Sequence, residues 1–162
     1  MSQADRPIAE IMRREFVSVK PDDQIDLVDD IMNLGRVRHM PVLDGHRLVG
    51  IVSQRDLLSA SLSRLLDFDP TERRTFLRSI RVDEVMSREV VTASPHTGVA
   101  GAARIMLRHR IGCLPVVDPA TGVAVGLVTE TDLLRAAFGD GEESAGPGAP
   151  VAETLADRSL RR

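Results

Sequence analysis

Gly50-Ile51-Val52-Ser53-Gln54-Arg55-Asp56-Leu57-Leu58 returns later in the chain as Gly126-Leu127-Val128-Thr129-Glu130-Thr131-Asp132-Leu133-Leu134. Both stretches carry a glycine, an apolar pair, a hydroxyl residue, an aspartate three positions on and a leucine pair. Working outward, Met40-Pro41-Val42 matches Leu114-Pro115-Val116, Ile31-Met32 matches Ile105-Met106, and Pro21 matches Pro95. Upstream, residues 8–17 match residues 82–91 at an offset of 74, which two inserted residues later widen to 76. An internal repeat decides the fold before any local pattern does. Two copies are too few for a solenoid, so they are expected to pack face to face as a pseudo-symmetric pair. A site built by one copy should then have a counterpart in the other.

Bulk properties narrow the function. Each half, at roughly 60 residues, would be marginal alone, which favours one domain made of two halves. Of the 162 residues, 43% are hydrophobic and 28% charged, as in ordinary soluble globular proteins. The formal net charge of -3 argues against a nucleic-acid partner, which normally leaves a strongly basic face. Aromatic residues make up 2%, with no Trp and no Tyr, so stacking platforms for single strands are missing. The single cysteine, Cys113, excludes an internal disulfide framework. No signal-peptide core and no run of about 20 apolar residues is present, so a cytoplasmic protein without a membrane partner is expected.

Each copy reads as strand, helix, two strands and a second helix. Val17 to Val19 and Val91 to Ala93 read as short strands. Ile25, Val28, Ile31 and Met32 fall at helical spacing up to a stop at Gly35, and Val99, Ala102, Ile105 and Met106 repeat the pattern. Apolar runs on either side of Asp44-Gly45-His46 predict a hairpin, as do those around the longer turn at residues 118–122. The first repeat is placed at residues 7–58, a helical connector at 59–81, the second repeat at 82–138 and a flexible tail at 139–162. Leu62, Leu65, Leu66, Phe68, Phe76, Leu77 and Ile80 make the connector too apolar for a loose linker, and two short helices broken at Asp69-Pro70 are expected. Its apolar residues also supply a motive for an interface.

The doubled Ser/Thr-x-x-Asp pattern has two readings. Ser53…Asp56 and Thr129…Asp132 match the capping box, in which hydroxyl and carboxylate satisfy orphan amides at a helix start. The same strand-to-helix junction can also receive a phosphate on free N–H groups, with the carboxylate facing a sugar. Spacing alone leaves both open.

Taken together, these motifs resemble a tandem pair of cystathionine-beta-synthase (CBS) domains, the Bateman module. The resemblance rests on His39-Met40-Pro41-Val42 with Cys113-Leu114-Pro115-Val116, on the two Gly-x-x-Ser/Thr-x-x-Asp runs, and on Glu10-x-Met12 with Glu84-x-Met86. It covers residues 7 to 138. It implies an α/β (α+β) fold of two β-α-β-β-α repeats packed through their sheets. It also implies two clefts that bind adenosine-containing ligands such as AMP, ADP, ATP or S-adenosylmethionine, as regulatory ligands with no cofactor required. Asp56 and Asp132 match the ribose-binding carboxylates, and Ser53 and Thr129 the neighbouring hydroxyl residues. The cleft with Thr129, Thr131 and Asp132 would receive Arg38 and His39 from the opposite repeat, and the arginine fork suits phosphate oxygens. The cleft with Ser53 and Asp56 would receive Gly112 and Cys113, with Arg55 as its local cation. Lys20 and Ile25, and in the second copy Ser94 and Val99, would line the adenine pocket. The first of these clefts is the favoured site.

Other residues have plainer readings. Arg36, Arg38 and His39 follow a helix end, where cations suit the dipole. Met12, Met32, Met86 and Met106 recur at apolar positions and read as core, and Cys113 reads as a buried thiol. With no metal cluster, phosphate loop or nucleophile–base pair in the sequence, an enzyme is not expected. The reading is a stand-alone sensor that signals to a separate effector or through its own homodimer. The alternative is a ligand-free structural dimer that regulates a partner.

Overall fold

A computed structural model describes residues 6–62 and 69–139. The sequence readings on Leu65, Leu66, Phe68 and nearly all of the 139–162 tail lie outside those residues. A 3-10 turn, Ile8–Glu10, precedes α1 (Ile25–Gly35), β1 (His39–Asp44), β2 (Arg47–Ser53) and α2 (Gln54–Leu62). The connector supplies α3 (Pro70–Arg78). Then follow α4 (Val82–Val85), α5 (Val99–His109), β3 (Cys113–Val117), β4 (Ala124–Thr129) and α6 (Glu130–Phe138).

The fold is mixed α+β and built on two antiparallel hairpins. β1 pairs β2 from His39 opposite Ser53 to Asp44 opposite Arg47, and β3 pairs β4 from Cys113 opposite Thr129. The first hairpin closes on Gly45-His46, where Gly45 takes φ +62°, a conformation that costs glycine little. The expected first strand of each repeat is reduced to one parallel bridge, Val19 beside Val42 and Ala93 beside Val116. α1 buries Ile25, Val28 and Met32 against its hairpin, and α5 buries Val99, Ala102 and Met106. Both helices end on a left-handed arginine, Arg36 at φ 51° and Arg110 at φ 54°. Gly35, read as the stop, is the last helical residue before Arg36.

The lead-in segments cross between the repeats. Arg13 and Leu127 exchange backbone hydrogen bonds at 2.9 and 3.0 Å, which adds the first lead-in to the second repeat's sheet. Ser87 and Ile51 do the same at 2.9 and 3.0 Å in the other direction. Ile8 and Met12 therefore complete the core around Leu114, Val116 and Val128. Val82 and Met86 complete the core around Met40, Val42 and Val52. Two halves that would be marginal alone are thus interlocked. The methionines read as core are buried as expected.

The described part of the connector differs from its reading as interface surface. Asp69 caps α3 with a full capping box and Pro70 opens the helix. Leu77 is buried, and Phe76 and Ile80 pack on the first repeat's core. Their apolar surface is thus spent inside the fold. Arg73, Arg74 and Arg78 face Asp29, Asp30 and Asp26 on α1 at 3.2, 2.9 and 3.1 Å. Exposed pairs of this kind add little stability each, and here they set the register of α3 on α1.

Candidate ligand cleft

Where the α1-to-β1 junction of the first repeat meets the β4-to-α6 junction of the second, a cleft of 510 Å³ opens between the repeats. Arg38 and His39 of the first repeat line it together with Thr129, Glu130 and Thr131 of the second. Gly112 and Cys113 line the same cleft, from within the second repeat, where Cys113 pairs with Thr129. The sequence reading assigned those two residues to the other cleft. The hairpin register puts Cys113 beside Thr129, just as it puts His39 beside Ser53, so the pre-strand residues of both repeats line this one cleft.

Both capping boxes are formed. The amide and hydroxyl of Thr129 donate to Asp132 Oδ2 at 2.8 and 2.7 Å, and the Asp132 amide donates to Thr129 Oγ1 at 3.4 Å. The Ser53 amide and hydroxyl donate to Asp56 Oδ2, each at 2.7 Å, and the Asp56 amide donates back to Ser53 Oγ at 3.2 Å. The free amides expected at the junction are fewer than the sequence suggested. The Glu130 amide donates to the Gly112 carbonyl at 3.2 Å, so among the first three amides of α6 that of Thr131 alone is unengaged.

The two aspartates differ beyond the cap. Asp132 Oδ1 accepts from Arg13 Nε at 3.1 Å, and the carboxylate is 8% exposed. Asp56 is less buried, and Ser87 stands where symmetry would put a second arginine. Arg13 was missed in the sequence. The one available signal was the mismatch of Arg13 with Ser87 inside otherwise matching lead-ins, and nothing in it said that the arginine crosses to the other repeat.

Lys20 and Ile25 stand apart from the cleft lining. Ile25 is fully buried in the first core, and Lys20 is exposed, its amide donating to Asp23 Oδ2 at 2.8 Å. Ser94 donates its amide to Thr97 Oγ1, and Val99 is buried on α5. The wall expected from Lys20 and Ile25 is made by Glu15, Phe16 and Val17 instead, because only the crossing part of the lead-in reaches the cleft. Arg55 is exposed at the start of α2.

Three arginines in the lining, Arg13, Arg36 and Arg38, outnumber two glutamates, Glu15 and Glu130. His39 has its pKa lowered from the ordinary 6.5, chiefly by burial; Asp56 opposes the shift, Arg38 adds to it, and Glu130 opposes it. Burial, helped by Asp132, pushes the Cys113 thiol up to about 12. Among the described residues no group of three His, Cys, Asp or Glu side chains could hold a metal ion.

The CBS domain family profile matches residues 8–63 and 82–139. The chain belongs to the CBS domain family, as a tandem pair. A CBS domain-containing protein of Dictyostelium discoideum is 30% identical over 128 residues, spanning 78% of this chain and 88% of its own. An inosine-5'-monophosphate dehydrogenase of Korarchaeum cryptofilum is 29% identical over 133 residues, 82% of this chain but 25% of the enzyme. Among solved structures, CBSX2 in complex with AMP superposes with a TM-score of 0.67 at 28% identity, covering 81% of this chain and 95% of that one. CBS pairs thus occur both as nearly whole proteins and as a fraction of an enzyme.

Proposed function

We propose that this CBS pair is a regulatory sensor that binds an adenosine nucleotide in the cleft between its repeats. The observation that carries the reading is the meeting of Arg38 and His39 with Thr129 and Thr131 across that 510 Å³ cleft, with Asp132 directly behind. The volume lies within the range of about 300–1,000 Å³ common for small-molecule sites. The phosphate would face Arg38 and the ribose Asp132, while adenine would lie toward Phe16 and Val17. AMP in the related CBSX2 structure supports this ligand class. ADP, ATP and S-adenosylmethionine are the competing candidates, and no cofactor is needed for such a role. The second cleft that the family resemblance implies, with Ser53, Arg55 and Asp56, would have fewer cations to offer and would bind more weakly.

Signalling follows from the position of the ligand between two interlocked repeats. A ligand shifts an equilibrium only by its differential affinity for two states, so the effector must read the relation of one repeat to the other. That effector is a separate protein or a second copy of the chain in the cytoplasm. α5 and α6 offer a face for a homodimer: a groove of 720 Å³ runs between them, and Leu107, Leu134 and Phe138 are 78%, 59% and 82% exposed. Among the described residues no helix is long and apolar enough to cross a membrane.

One observation favours the ligand-free reading. Both aspartates are already used by their caps, and among the described residues no buried side-chain polar atom lacks a partner. A thermal-shift screen of ligand-stripped protein with AMP, ADP, ATP, NAD and S-adenosylmethionine separates the two. At about 100 times Kd a ligand adds roughly 2.7 kcal/mol to native stability. A shift with AMP supports the sensor, and no shift with any compound supports the structural module.

A further inference from the structure

We infer that Arg13 is a selectivity gate that makes this cleft choose phosphorylated adenosine ligands over neutral or cationic ones. The inference rests on the cleft reading proposed above. Asp132 has one oxygen committed to the α6 cap and the other accepting from Arg13 Nε at 3.1 Å. A ribose hydroxyl that donates to Asp132 must compete with this guanidinium for Oδ1. The cap oxygen is the harder one to free, because two donors of Thr129 hold it.

The geometry restricts how Arg13 can respond. Its backbone amide and carbonyl both pair with Leu127, so the root of the side chain is fixed at the cleft wall. The side chain is 52% exposed, whereas its partner carboxylate is 8% exposed. Displacement by ribose therefore leaves the guanidinium without Asp132 in a cleft where Arg36 and Arg38, with Arg13 itself, outnumber Glu15 and Glu130. A neutral nucleoside offers that cation nothing, and a sulfonium ligand adds a further positive charge. A phosphate accepts the released guanidinium in a charge-assisted hydrogen bond, so the exchange is favourable only for an anionic ligand. The first repeat has no such gate, because Ser87 occupies the position facing Ile51 and bears no charge.

The test is calorimetric titration of AMP and of adenosine into the wild type, R13Q and R13M, each checked for cooperative melting. The gate predicts that wild type prefers AMP by about tenfold or more, the effect of one charge-assisted bond. Both neutral variants should bind adenosine more tightly and AMP more weakly, reducing the preference to the part that Arg38 supplies. Equal weakening of both ligands, or an unchanged preference, overturns the gate while leaving the cleft in place. Wild type that binds neither compound overturns the cleft reading itself, and the gate with it.

Discussion

Gly126 lies so close to Met12 that a Cβ added to the glycine would meet the Met12 sulfur at 2.5 Å and the Arg13 carbonyl oxygen at 3.2 Å. Gly50 stands in the same relation to Met86 and Ser87, at 2.5 and 3.1 Å. The glycine of each Gly-x-x-Ser/Thr-x-x-Asp run is therefore a crossing point, where the lead-in of one repeat passes over the sheet of the other. Replacing Gly126 with alanine should cost about 1–3 kcal/mol, as overpacking of a tight core does. Because Arg13 is carried on the same crossing, G126A should also weaken AMP binding more than G50A does. Denaturant unfolding followed by titration checks both. Equal stability of G126A and wild type would show that the crossing is looser than described.

His39 should make stability depend on pH. Its folded pKa lies below the ordinary 6.5, so between the two values the unfolded chain binds more protons than the folded one. The contribution is fully present above 6.5 and is lost as pH falls toward the folded value. Chemical unfolding at about pH 7.5 and about pH 5.5 should show wild type losing more stability than His39→Gln across that interval. A variant that tracks the wild type at both values would assign the acid sensitivity to other groups.

Cys113 should be chemically quiet in the native protein. With its pKa near 12, the thiolate fraction at about pH 8 is on the order of one in ten thousand. Iodoacetamide should label it far more slowly than in the unfolded chain, at a rate governed by opening of the fold. Rapid labelling without unfolding would contradict the burial assigned to β3.

Much of this was legible in the sequence because a duplication repeats its own local signals. The hairpins, the capping boxes at Ser53 and Thr129, the apolar faces of α1 and α5, and the proline-started α3 each follow from short-range pattern. Matching residues at a fixed offset does not say which copy a segment packs against. The crossing of the lead-ins was hidden for that reason, and with it Arg13 and the Glu15 to Val17 wall of the cleft. Lys20 and Ile25 were carried over by position, but by Lys20 the chain has already turned back toward α1, where Ile25 serves the core. Leu77, Phe76 and Ile80 have the composition of an interface and the location of a core.

The departures from symmetry are what make the two aspartates testable against each other. Both accept from the amide and hydroxyl of the residue that caps their helix, so that loss is common to both variants, and the Arg13 pair of Asp132 is the difference between them. Asp132 accepts from Arg13 of the cleft that also gathers Arg38, His39 and Thr131, whereas Ser87 stands in the place of Arg13 beside the first repeat's sheet.

The most direct measurement is therefore calorimetric titration of AMP into wild type, Asp132→Asn and Asp56→Asn. The account predicts saturable binding to wild type, loss of most of that affinity in D132N and a smaller loss in D56N. Loss in D56N with D132N unaffected, or no AMP binding by the wild type, would contradict it.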